Sequence, residues 1–369
     1  MKLLHNYAQI VHAMLALGAL AILFAGPAAA DPLPGRDILK FSQLPMDGTP
    51  ITTGTDGTTT PYFGHDELST AYTEFDSNPS TTNPLPTGRY VGQFMADDFA
   101  DEFNTPVVHV RWWGSYINNE AQETVDKFLI SFESDIKDPD DPHTGPGFSQ
   151  PGTPLLNQIV TKGALSPGSG TFTERLKSSG GPPLSEALYE YNAELHLNKE
   201  FFQDNDTVYW LKIVALVDLA DPIQDPFADP NVPKWGWHNR DYTVPNPLAS
   251  PLVMPGEHDD TPIIDPSYPS PVYHFQDDSV SGAVIVDPID NPIMPSVQQD
   301  VSGPQHYLDD IDGPGPGFTP LGQHGGIGQF SKDLAFELFT IPEPSSMALW
   351  LLGLVAMGGV AHRRRACEL

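Results

Sequence analysis

Apolar and polar residues alternate with a period of two over much of residues 89–217. Val108, Val110 and Trp112 alternate within 107–117 (VVHVRWWGSYI), and Phe128, Ile130 and Phe132 within 126–134. Tyr189, Tyr191, Ala193, Leu195 and Leu197 follow the same rule. In a strand this spacing sends alternate side chains to one face, which predicts half-buried strands with a single apolar side. Residues 208–217 (VYWLKIVALV) are apolar at nearly every position. A run of that length and β-branched content predicts a central strand buried on both faces, with Ile213 almost fully enclosed. Segments 156–159 and 171–176 are weaker strand candidates, and Leu39, Lys40 and Phe41 form a short one. Residues 334–341 (LAFELFTI) alternate again and should return to the sheet. No helix-period segment is longer than 185–191, and no internal repeat is present. The predicted fold is all-β: an antiparallel, jelly-roll-like β-sandwich of two packed sheets with long Pro/Asp-rich loops.

Composition sharpens this. The 369 residues include 39 Pro and 32 Gly, which disfavours helical bundles, because Pro breaks helices and Gly weakens them. The two residue types are unevenly spread: residues 221–324 hold 19 Pro and 8 Gly in 104 positions, punctuated by Asp-Pro dipeptides. That stretch predicts a loop-rich insertion with islands at 235–237, 272–275 and 283–286. Residues 31–88 are rich in Thr, Gly and Pro, and 51–61 (ITTGTDGTTTP) reads as a low-complexity loop. The sandwich domain is therefore expected over 89–341.

Both ends read as addresses. Lys2, the apolar run 13–25 (AMLALGALAILFA), Gly26-Pro27 and the small residues Ala28-Ala29-Ala30 before Asp31 form a secretory signal over 1–30. It predicts a signal helix and cleavage by signal peptidase after Ala30; the competing reading is an uncleaved anchor. At the other end, 347–361 (MALWLLGLVAMGGVA) is 15 residues without a charge. As a helix it reaches ~22 Å, enough to span a bilayer with flanking residues drawn in. Arg363, Arg364 and Arg365 follow and hold that end in the cytoplasm. Pro342-Glu343-Pro344 stands just before the span, and its prolines favour an extended, accessible backbone.

The order Pro-Glu-Pro, short span, Arg cluster resembles the PEP-CTERM sorting signal of exported bacterial proteins. The resemblance covers about 25 residues, and Ala366 to Leu369 extend a little past the usual stop. It implies processing by a membrane protease-transpeptidase, an exosortase, and association with exopolysaccharide. The alternative is a plain C-terminal membrane anchor. A looser resemblance joins Ala96-Asp97-Asp98-Phe99, Trp112-Trp113-Gly114-Ser115, Tyr209-Trp210-Leu211 and Trp235-Gly236-Trp237. Together they are similar to an uncharacterised domain of other PEP-CTERM proteins, which implies a β-sandwich and carries no activity over.

Charge and chemistry narrow the functions. With 18 basic and 48 acidic residues the net charge is −30, a balance that repels phosphate and excludes nucleic acid as a partner. The one cysteine, Cys367, lies in the tail, so no disulfide framework or Cys-zinc site is available. No Gly-x-Ser-x-Gly elbow or marked triad occurs, and a non-enzymatic role is expected. Asp309, Asp310 and Asp312 before Gly313 resemble half of a calcium loop; a solvated turn is the competing use. Trp235 and Trp237 flank a glycine and are candidate glycan contacts, although core packing is the commoner fate of a Trp. Of adjacent Trp112 and Trp113, only one is expected in the core, since neighbours in a strand point to opposite faces. The functions left open are an exported cell-surface or matrix protein, a carbohydrate-binding module of the exopolysaccharide matrix, and a secreted polysaccharide hydrolase using an unassigned carboxylate pair.

Overall fold

The computed structural model describes residues 37–46, 50–53, 58–61, 66–76, 84–116, 124–136, 149–178, 187–241, 244, 246, 248–250, 279–304 and 333–341. Every regular element among them is a strand. In chain order these are β1 (Ile38–Gln43), β2 (Pro50–Thr53), β3 (Thr58–Pro61), β4 (Asp66–Leu68), β5 (Thr70–Phe75), β6 (Pro86–Phe99), β7 (His109–Tyr116) and β8 (Lys127–Ile136). Then come β9 (Gln150–Lys162), β10 (Thr171–Ser178), β11 (Leu188–Glu194), β12 (Tyr209–Val217), β13 (Trp235–His238), β14 (Val280–Asp287), β15 (Ser296–Pro304) and β16 (Phe336–Thr340). The signal and C-terminal helices expected from the sequence lie outside the described residues. Among those described, no helix is long and apolar enough to cross a membrane.

Fourteen strands form one sheet in the order β1-β16-β7-β11-β10-β9-β8-β12-β5-β6-β14-β15, with β13 joining β7 to β4 off this path. The sheet is mixed rather than purely antiparallel, since β12 runs parallel to β5 and β10 parallel to β9. The reason lies at Ser69, where the 66–75 strand leaves its pairing with β13 and wedges as β5 between β12 and the first half of β6. The second half of β6 pairs with β12 directly. Within 51–61, read as a loop, the described residues instead belong to the antiparallel pair β2–β3. β1, β4 and β5, from the segment expected to precede the domain, are integral to the sheet. So is β15, whose sequence SVQQDVSGP gave no apolar signal.

The sheet curls so that distant strands face one another. Trp112 of β7 meets Phe128 of β8 edge-on at 5.2 Å, although three strands separate β7 from β8 along the sheet. One core lies between these faces and takes Phe41, Val110, Trp112, Phe128, Ile130, Tyr191, Leu211, Ile213, Phe336 and Leu338. A second core covers the opposite side of β8 and β12, with Leu129, Trp210 and Val214 packed against Phe94 of β6 and Val280, Val284 and Val286 of β14. The β14–β15 hairpin bends back toward β9, where the Ile159 amide donates to the Ile293 carbonyl at 2.8 Å. β12 thus has a core on each side, which explains why it is apolar at every position but Lys212, and Ile213 is fully buried as expected.

Candidate functional site

β16 brings the chain to the expected sorting tail. It lies between β1 and β7, with Phe336 and Leu338 fully buried. Glu337 accepts from Arg111 Nη1 at 2.7 Å and from Ser42 Oγ at 3.0 Å, one partner on each neighbouring strand. The last described residue, Ile341, immediately precedes Pro342, so the tail begins one residue past a strand held on both sides. Pro342, Glu343, Pro344, Arg363, Arg364 and Arg365 lie outside the described residues. So do Ala28, Ala30 and Asp31 of the signal, and Asp309, Asp310 and Asp312 of the calcium candidate.

The candidate glycan contacts are described and are closed to solvent. Trp235 and Trp237 have no exposed surface. Trp235 meets Phe128 edge-on at 4.9 Å, and Trp237 packs on Phe336 at 5.9 Å while its Nε1 donates to the Ala335 carbonyl. Neither ring is offered to a sugar, because both lie inside the first core, against Phe128, Tyr191 and Phe336. Trp112 and Trp113 are likewise both buried, on opposite faces of β7; Trp113 packs with Leu188 and Ala335.

Several polar groups accompany these rings inward. His109 Nδ1 lies 3.0 Å from Asp37 Oδ2 and its Nε2 3.2 Å from Asn192 Oδ1, both acceptors, and its ring stacks on Phe339 at 4.7 Å. One ligand atom from each of Asp37, His109 and Glu194 lie within 4.8 Å of one another. A His with two carboxylates has the donor chemistry for a divalent transition metal. Both ring nitrogens already have oxygen partners, however, so a metal would have to displace one. The hydrogen bonds of His109 join β7 to Asp37, just before β1, and to β11. Elsewhere, Lys40 faces Asp101 at 3.6 Å, both fully buried. Burial lowers Lys40 to about 8 and raises Asp101 to about 6, with the opposite charge of each partly offsetting the effect. Arg240 donates to Asp333 at 2.9 Å. Nearby Asp97 is pushed well above the ordinary carboxylate range, by burial first and by the Asp333 charge second.

A further cluster escaped the sequence reading. Lys212 of β12 and Glu133 of β8 are fully buried in the second core and form an ion pair at 2.6 Å. Gln299 of β15 hydrogen-bonds to both. The signal available was a single lysine inside an apolar run; nothing in the sequence of β15 marked Gln299.

Fold and chemistry together define an all-β protein with a buried polar interior and a sorting tail joined to its last strand. A family model described as a domain of unknown function, DUF7901, matches residues 39–276, and the chain belongs to that family. The match starts well before the Arg89 boundary expected from composition and leaves β14, β15 and β16 beyond its end. The PEP-CTERM protein-sorting motif matches residues 340–365. That motif implies export and processing by an exosortase. Comparison with curated proteins and with solved structures finds no match.

Proposed function

We propose that this chain is a non-enzymatic protein of the cell surface or extracellular matrix, exported by its N-terminal signal and released from a transient C-terminal anchor by an exosortase. Its body is read as a β-sandwich whose two layers are the facing parts of the curled sheet. The observation that carries the proposal is the sorting motif at 340–365, continuous with a strand locked into the sheet. The net charge of −30 supports solubility outside the cell. A structural role also fits the interior: the carboxylates Asp97 and Asp333 are fully buried beside Arg240, out of reach of a polysaccharide. Binding to exopolysaccharide would have to use residues other than Trp235 and Trp237.

Glu343→Ala tests the sorting half of the proposal. The variant should fold normally, because Glu343 lies beyond β16, and should accumulate as a larger membrane-bound precursor on a blot of cell fractions. Equal processing of variant and wild type would leave only a plain anchor. N-terminal sequencing of the exported protein should begin at Asp31; a retained Met1 would overturn cleavage by signal peptidase.

A further inference from the structure

The second core brings an amine, a carboxamide and a carboxylate into mutual contact within apolar surroundings. Lys212 of β12 pairs with Ser131 of β8, two residues from Glu133, so Lys212 and Glu133 share a face. Gln299 reaches them from β15, which is not a neighbour of either strand. Glu133 divides its two oxygens between the other groups: Oε1 accepts from Lys212 Nζ at 2.6 Å, and Oε2 accepts from Gln299 Nε2 at 2.8 Å. Lys212 Nζ also donates to Gln299 Oε1. The remaining polar contacts hold the parts in place. Ser131 Oγ donates to Glu133 Oε1 at 2.8 Å, and Gln299 Nε2 lies 3.2 Å from the carbonyls of both Pro151 and Gly152. The Phe94 ring covers Lys212 Nζ at 4.2 Å, and Trp210 and Val214 flank the lysine along β12.

The geometry points to a self-cross-linking centre, in which Lys212 Nζ attacks Cδ of Gln299 and an isopeptide bond joins β12 to β15. The Nζ–Cδ bond forms and the Cδ–Nε2 bond breaks. Glu133 takes one proton from the Nζ ammonium to free the amine, passes it to Nε2 as the Cδ–Nε2 bond breaks, and takes the second Nζ proton itself; Nε2 leaves as ammonia and Glu133 ends as the neutral acid. One primary amide and one amine become one secondary amide and ammonia, so no oxidant, reductant or cofactor is required. Burial pushes the Lys212 ammonium below its ordinary range, against the opposing charge of Glu133, and so favours the nucleophilic amine. Fixing nucleophile and amide in contact is worth effective molarities of ~10⁵–10⁸ M when the alignment is good, which is what an unactivated amide needs. The product would serve an exported protein without disulfides in its body. β15 is the last strand at its end of the sheet, and the bond would clamp it to the central strand.

The test is mass spectrometry of the denatured full chain and of its tryptic peptides. Wild type should be about 17 Da lighter than its sequence mass, the loss of one ammonia. Trypsin should fail to cut after Lys212, and a branched peptide should carry Lys212 and Gln299 together. Glu133→Gln should keep the full mass and release both linear peptides. Gln299→Leu, which removes the amide but keeps Lys212 and Glu133, should do the same. Wild-type protein of full mass, with linear peptides cleaved after Lys212, would overturn the proposal, and that reading does not depend on whether either variant folds.

Discussion

Ile213 stands at the middle of β12, its side chain in the first core while its neighbours Lys212 and Val214 enter the second. Truncation there leaves a void that strands on either side cannot close. Ile213→Ala should cost ~2–5 kcal/mol, read from urea unfolding. The Lys40–Asp101 pair makes a different kind of prediction. Asp101 titrates near 6 in the folded chain against an ordinary 3.8. Between those values the folded state keeps a proton that the unfolded chain has lost, so this group's contribution to stability falls as pH rises from 3.8 to about 6. Lys40, lowered from 10.5 to about 8, loses its proton in the folded state first, so its contribution rises with pH from about 8 to 10.5. Urea midpoints across a pH series measure both slopes, and Asp101→Asn should reduce the acidic one, to which Asp97 also contributes. An unchanged acidic slope in that variant would place its origin elsewhere.

At the scale of elements, two features hold the curled sheet together. Ser69 and Thr70, at the crossing from β4 to β5, bond to both halves: Ser69 Oγ donates to the Ile213 carbonyl at 2.5 Å and accepts from the Met95 amide at 3.0 Å. Thr70 Oγ1 exchanges hydrogen bonds with the Trp235 backbone at 2.8 and 2.9 Å. Gly114 of β7 permits the close approach of β13. A Cβ there would fall 2.4 Å from both the Gly236 carbonyl oxygen and the Trp235 ring, neither of which is free to move. Gly114→Ala should therefore destabilise by at least ~1–3 kcal/mol. Gly163→Ala is the control: its nearest neighbour is the Thr171 methyl at 3.3 Å, and the change should stay within ~0.5 kcal/mol. Similar melting temperatures for the two variants would show that β13 does not need the approach.

On the scale of the whole molecule, the fold is completed late in the chain. β16 fills the place between β1 and β7, and its Glu337 and Phe339 engage Arg111 and His109. A chain ending after Ile341 retains every described strand and should melt cooperatively by circular dichroism. A chain ending after Asp333 leaves β1 without its partner strand and opens one stretch of the β7 edge, and should lose that transition. Equal melting of both chains would make β16 an appendage. The same closure places the processing segment directly after the final buried strand, so exosortase processing would release a body whose last strand is already locked into the sheet.

The all-β class, β1, β12 and β16 were legible from the sequence, because period-two alternation and unbroken apolar runs are local consequences of a pleated backbone with one or two covered faces. The sorting tail was legible for a similar reason: its information is a linear order of Pro-Glu-Pro, apolar span and arginines, which no folding partner has to complete. What remained hidden depended on partners remote in the chain. Trp235 and Trp237 were candidate glycan contacts with core packing the commoner expectation, and only one of Trp112 and Trp113 was expected inside; packing against Phe128, Phe336, Leu188 and Ala335 encloses them all. β15, mostly polar but for Val297 and Val301, is a strand because β14 pairs with it, and β5 runs parallel to β12 because the chain crosses at Ser69. Lys212, Glu133 and Gln299 lie 79 to 166 positions apart. The pairing of β8 with β12 brings the first two together and the curling of the sheet adds Gln299, since a buried charge is tolerated where its partner is, and that place is set by the packing of strands and not by any neighbour in sequence.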